Sequence, residues 1–167
     1  MLFTLWLAFA PLEVCAIVKD VHRFDGQIIT VRSAVKIGFE EFELPAKQCG
    51  VKNLDGIWLE YGRGPKEQPT MWCCGDTSPK DRLAVVQNAD FRRFHRYLTS
   101  RTKQWEPKFS VTATITGRVD AVAPTNEGCR QGFGHFGFFC ARLVIQSVAD
   151  VTAEPVSAPP RPESAGK

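Results

Sequence analysis

The chain has 167 residues, 44% of them hydrophobic, which suits one domain with short appendages and excludes wholesale disorder. Its net charge of +3 is too small an excess to mark a nucleic-acid binder, because a polyanion site needs clustered charge.

The opening segment, MLFTLWLAFAPLEVCA, carries an uncharged apolar run over residues 2–10. That run is too short to span a bilayer but suits the hydrophobic region of a signal peptide. Ala8-Phe9-Ala10 and Val14-Cys15-Ala16 offer two cleavage points, with Pro11 counting against the first, and the usual positive amino-terminal region is missing. Residues 1–16 are therefore expected to be a signal peptide or hydrophobic leader, against the alternative of a buried first strand or helix. The protein is expected to be exported, periplasmic or secreted. Leu-Glu-Val-Cys also has the form of a lipoprotein box, in which a lipid on Cys15 would anchor the chain to a membrane, although Val14 fills a position that favours Gly, Ala or Ser. The six cysteines, Cys15, Cys49, Cys73, Cys74, Cys129 and Cys140, are an even set suited to an oxidising compartment. Cys129 and Cys140 are the preferred pair, since they flank one glycine-rich turn; Cys49 with Cys73 or Cys74 comes second.

Residues 12–23 have Val14, Val18 and Val21 at roughly helical spacing and predict a short helix. Asp25-Gly26 then starts a strand in which Ile29, Val31, Val35 and Ile37 share one face and Thr30, Arg32 and Lys36 the other. Gly38 breaks it, and a second strand follows with Phe42 and Leu44 on one face and Glu41 and Glu43 on the other. Residues 45–56 read as a loop. Residues 57–61 form a third strand, in which Ile57, Leu59 and Tyr61 alternate with Trp58 and Glu60. Residues 62–87 show no periodicity and read as a long surface loop, of a length that is uncommon without a role or a staple such as Cys73 or Cys74.

Asn88 is the expected N-cap of a helix over residues 89–101, with the apolar stripe Phe91, Phe94 and Leu98. Arg92, Arg93, Arg96 and Arg101 line the rest and read as a solvated face rather than a phosphate site. The fourth strand alternates cleanly from Phe109 to Asp120, with one buried and one wet face. Residues 123–137 read as a glycine-rich loop. Residues 138–151 form the fifth strand, with Leu143 and Ile145 on one face and Val144 and Val148 on the other. From residue 152 onward the proline-rich chain reads as a disordered tail.

Five strands with a helix between the third and fourth is the order of an OB-fold, so the expected class is mainly β, a small five-stranded OB-like barrel over residues 17–151. The segments FDGQIITVRSAV, GFEEFEL, IWLEYG, the arginine-rich helix and GFGHFGFFCARLVIQSVADV together resemble a group of uncharacterised bacterial exported proteins with OB-like barrels. The resemblance covers residues 15–151. It implies fold and export; that group has no settled activity, and no catalytic residue carries over.

On an OB barrel the outer face of strands two and three would carry Glu41, Glu43, Trp58 and Glu60. Trp58 offers a ring on which a base could stack, but three carboxylates beside it would repel phosphates, and Arg32 and Lys36 are expected to pair with those glutamates across the sheet. His135 lies in the loop GCRQGFGHFGFFC between Cys129 and Cys140. A zinc site there has no standard spacing and lacks a fourth ligand, and export favours disulfides over thiolates. The loop is nonetheless the first place to expect a ligand. The ligand-binding candidates are thus Trp58, Glu60 and His135, with no catalytic residue, metal or cofactor assigned. His22 and His95 stand isolated. Neither GxSxG, HExxH nor a phosphate-cradling glycine loop occurs. The expected function is that of an exported, disulfide-stapled OB-like module that binds a protein or envelope ligand without catalysis. The alternatives are single-stranded nucleic-acid binding through Trp58 and the basic helix, and metal-dependent hydrolysis using His135.

Overall fold

The structure, a computed structural model, describes residues 10–38, 40–52, 54–65, 69, 83–102, 106–123, 128–129 and 131–156. Its strands are β1 (Ile28–Ile37), β2 (Phe42–Pro45), β3 (Gly56–Tyr61), β4 (Phe109–Ala121) and β5 (Ala141–Pro155). Among the described residues two α-helices accompany them, α1 (Val14–Val18) before β1 and α2 (Ala89–Thr99) between β3 and β4. Antiparallel pairing runs from β1 to β2, from β2 to β3, from β5 to β4 and from β4 back to β1, and β3 pairs in parallel with β5. The sheet closes in the order β1-β2-β3-β5-β4. This is a small OB-like barrel, the class that the strand order and the helix position imply.

Period-two alternation fills the interior. Val31, Leu44, Leu59, Ala113, Ile115, Leu143 and Ile145 are all at most 1% exposed. Each of these side chains except the small Ala113 contributes roughly 1.5–3 kcal/mol on burial. One bulge changes the expected faces of β5. Gly117 pairs with Ile145 and Thr116 with Ser147, so Gln146 is an extra residue and Val148 arrives opposite Ile115, inside the barrel. Val144 keeps the other face, and the expected Val144–Val148 pairing of faces does not occur. β5 also runs further than its composition implies. Residues 152–155 pair with β4 as far as Phe109↔Pro155, so the tail cannot begin at residue 152. Pro155 is accommodated because it ends the strand.

Helix α2 begins where Asn88 Oδ1 accepts a hydrogen bond from the Phe91 amide at 2.8 Å. Phe91, Phe94 and Leu98 are buried. The Phe91 ring lies 5.1 Å from that of Tyr61, on β3, and the Tyr61 hydroxyl meets His95 Nδ1 at 3.2 Å. Burial pushes the Tyr61 phenol upward. The arginines serve local packing. Arg92 Nη1 donates to the Gln87 carbonyl at 2.7 Å, Arg93 pairs with Asp90, and Arg96 lies over the Tyr97 ring. Arg101, beyond the helix end at Thr99, donates to the Pro69 carbonyl.

The expected helix over residues 12–23 is two pieces, α1 and a 3-10 turn at Val21–Phe24 whose Arg23 amide donates to Asp20 Oδ1. Val14, Ile17, Val18 and Val21 are buried, and Leu12 bonds the β1 backbone on either side of Val31. These contacts place α1 beside the barrel and bring Cys15 to the 3-10 turn Lys47–Cys49 after β2. Cys15 and Cys49 form a disulfide, which corrects the expected partnership of Cys49 with Cys73 or Cys74. Cys73 and Cys74 lie outside the described residues. The bond also occupies the sulfur that a lipid on Cys15 would need. Cys129 and Cys140 form the second disulfide. Among the described residues no helix is long and apolar enough to cross a membrane.

Candidate functional site

The site is assembled by the loop between β4 and β5, described at residues 122–123, 128–129 and 131–140. The Cys129–Cys140 disulfide joins its two limbs. Phe133 and Phe139 exchange backbone hydrogen bonds at 2.7 and 3.1 Å, and a 3-10 turn at His135–Gly137 forms the tip. So closed, the loop folds back over the outer face of β3. The rings of Trp58 and Phe139 lie 5.4 Å apart, and Trp58 is only 2% exposed. The approach depends on Gly134, at φ +71°, where a Cβ would stand 2.6 Å from Trp58 Cε3.

Beneath this cover runs a chain of charges. Arg142 Nη1 lies 3.3 Å from Glu60 Oε2, Arg142 Nε donates to Asp120 Oδ2 at 2.8 Å, and Arg118 Nε donates to Asp120 Oδ1 at 2.7 Å. Phe133 caps the Arg142 guanidinium with its ring centre 4.6 Å away. Burial would raise the Asp120 carboxyl, but hydrogen bonds from Arg118 and Arg142 outweigh it and hold the group below its ordinary value. Glu60, 2% exposed, thus belongs to a structural ion-pair chain.

A groove of about 700 Å³ opens between this loop and the β1–β2 turn. Its charged side is formed by Lys36 at the end of β1, Glu40 and Glu41 in the turn, Glu43 on β2, and Lys47 and Asp55 between β2 and β3. Cys129, His135, Phe138 and Phe139 form the other side. Lys36 Nζ lies 2.7 Å from Glu41 Oε1 and 3.3 Å from Glu43 Oε1. The Glu41 hydrogen bond leads the effects that raise the Lys36 ammonium. Burial raises the Glu43 carboxyl despite the neighbouring ammonium. His135 Nε2 and Glu40 Oε2, 3.1 Å apart, bridge the two walls. At the rim Phe136 is 78% exposed and Phe138 67%, their ring centres 5.8 Å apart. Phe136 holds a left-handed backbone at φ 52°, uncommon for an aromatic residue.

Of the three residues singled out from the sequence, His135 lines the groove, whereas Trp58 and Glu60 lie under the loop. Alternation put both on the outer face, where they are, but did not reveal the cover; with its ring buried, Trp58 offers no platform for a base. Arg32 does not join the glutamates either. It donates to Thr114 Oγ1 and the Asp150 carbonyl, both at 3.1 Å, leaving Lys36 to meet Glu41 and Glu43. Both sulfurs imagined as zinc ligands are bonded to each other. Phe136, Phe138 and Phe139 lie in the loop expected to meet a ligand without having been singled out one by one, and Glu40 and Asp55 carried no such expectation. The paired acids at Glu40-Glu41 and the two phenylalanines flanking Gly137 were the available signals. No family model, curated protein or solved structure matches the chain.

Proposed function

We propose that this protein is an exported binding module whose ligand occupies the groove between the β1–β2 turn and the β4–β5 loop, with no chemistry performed on it. The observation that carries the reading is the pair of exposed rings, Phe136 and Phe138, at the mouth of a groove of about 700 Å³. That volume is within the usual range of ligand sites, and contiguous exposed apolar side chains at a polar rim mark interaction surfaces. The position is one that OB barrels commonly use, although fold by itself dictates no ligand. Carboxylates outnumber ammoniums along the charged wall, which disfavours a phosphodiester backbone as the occupant.

Two disulfides and the apolar leader support an oxidising address. Cleavage after Ala10 would leave Leu12, Val14 and Cys15 in the fold, whereas cleavage after Ala16 would remove them. The resemblance to exported OB-like proteins points the same way.

The test replaces Phe136 with the photo-crosslinker benzoylphenylalanine in living cells, using Val86, also exposed, as the control position. A discrete adduct at position 136 and none at 86 is the expected result. Absence of any adduct at 136 would overturn the binding role. Fractionation with trapped thiols reports the address, which fails if the chain is found cytoplasmic and reduced.

A further inference from the structure

We infer that the groove receives a cationic segment of a partner polypeptide, an arginine or lysine with an apolar side chain beside it. The inference rests on the reading of the groove as a binding site. Among the described groove residues, four carboxylates, Glu40, Glu41, Glu43 and Asp55, stand against the ammoniums of Lys36 and Lys47, with His135 paired to Glu40. A chain of net charge +3 therefore presents a locally negative cleft.

The existing contacts leave room for another cation. Lys36 reaches one oxygen each of Glu41 and Glu43, while a carboxylate has roughly four acceptor positions over its two oxygens. Lys47 and Asp55 are 4.0 Å apart with both side chains largely exposed, a loose pair that an incoming charge can rearrange. Guanidinium groups suit such a wall because their planar fork can engage two oxygens at once. On the opposite side Phe138 and Phe139 offer apolar surface for the neighbouring side chain, and the exposed rings of Phe136 and Phe138 supply cation–π faces at the rim. A neutral glycan would use the rings but would have no use for the charge imbalance. A phosphate or sulfate group would be repelled.

Glu43 adds a further support. It is only 6% exposed, and burial raises its carboxyl even though Lys36 stands beside it. A cation seated in the groove would act on that carboxyl in the same sense as Lys36, favouring its charged form.

The experiment uses the full mature chain with its disulfides formed, and measures fluorescence anisotropy of a labelled peptide alternating Arg and Leu. A peptide alternating Glu and Leu and a labelled N-acetylglucosamine oligomer serve as the competing chemistries. The Arg peptide is expected to bind, to weaken with added salt, and to lose about tenfold in affinity in Glu43→Gln and again in Phe138→Ser. Thermal unfolding of each variant establishes that the fold persists; Glu40→Gln replaces either variant that fails to fold. Equal binding of the Glu peptide, preference for the oligosaccharide, no binding of the Arg peptide, or unchanged affinity in the folded variants would each overturn the assignment. If crosslinks at position 136 persist in cells under any of those outcomes, the groove binds something of other chemistry. If they are absent, the parent reading falls as well.

Discussion

Glu43 sits where two demands on one side chain conflict. Period-two alternation on β2 directs it to the outer face, and the β4–β5 loop opposite helps to wall the groove in which it stands, 6% exposed. Burial raises its carboxyl, with the Lys36 charge and hydrogen bond opposing incompletely. A group whose folded value lies above its unfolded value binds more protons when folded, so it lowers stability as pH rises through that window. At neutral pH Glu43 is therefore a net electrostatic burden, and Glu43→Gln is expected to unfold at a higher temperature than the parent at pH 7. The gain should shrink as pH falls below the ordinary glutamate range, where both states of the parent protonate. Thermal melts from pH 3 to pH 8 check this. A variant less stable than its parent at pH 7 would mean that the Lys36 contact outweighs burial. If the same substitution raises stability and weakens peptide binding, the carboxylate is retained for its ligand at a cost to the fold.

At the scale of elements, the β4–β5 loop converts an ordinary outer sheet face into a buried one. Gly134→Ala would force a side chain into a left-handed backbone and against the Trp58 ring, at an expected loss of about 1–3 kcal/mol in urea unfolding. Gly26→Ala, also at positive φ but with nothing within 4 Å of the added methyl, should lose less, separating backbone strain from collision with Trp58. Similar losses would mean that the loop yields easily. This loop also marks the limit of what the sequence made legible. Strands whose neighbours lie in the same sheet announced themselves through alternation, and β4 is the clearest because one face is wet. Trp58 and Glu60 read as exposed because alternation reports which face a residue occupies, not what later folds onto that face. The bulge at Gln146 escaped notice because one inserted residue changes the phase, and Val148 reads as outward until β4 supplies the register. Residues 152–155 read as tail because their composition is that of a linker, while their pairing is dictated by the length of β4. His135 was legible as a loop residue, but its contact with Glu40 joins segments far apart in sequence.

At the scale of the molecule, the two disulfides among the described residues divide the work between holding the fold and shaping the groove. Cys15–Cys49 spans 34 residues and fastens α1, whose Val14, Ile17 and Val18 join the core, to the turn after β2. Cys129–Cys140 spans 11 and closes only the β4–β5 loop. Loop-closure entropy assigns about 4 kcal/mol to the longer span and about 3 kcal/mol to the shorter. Removing both Cys15 and Cys49 by Ser substitution should therefore give the larger loss in urea unfolding. Because Lys36, Glu41, Glu43 and the β4–β5 loop keep their own contacts, that variant should still bind the Arg–Leu peptide below its unfolding midpoint. The Cys129→Ser, Cys140→Ser variant should do the opposite. Its barrel strands lose no pairing, but the loop is no longer fastened across Trp58, Phe138 and Phe139 lose their fixed position, and binding should fall more than stability. Measuring urea midpoints and peptide affinity on both variants tests the division directly. Loss of binding in proportion to stability in both would show that the groove has no integrity apart from the barrel, and that neither bond is specific to the site.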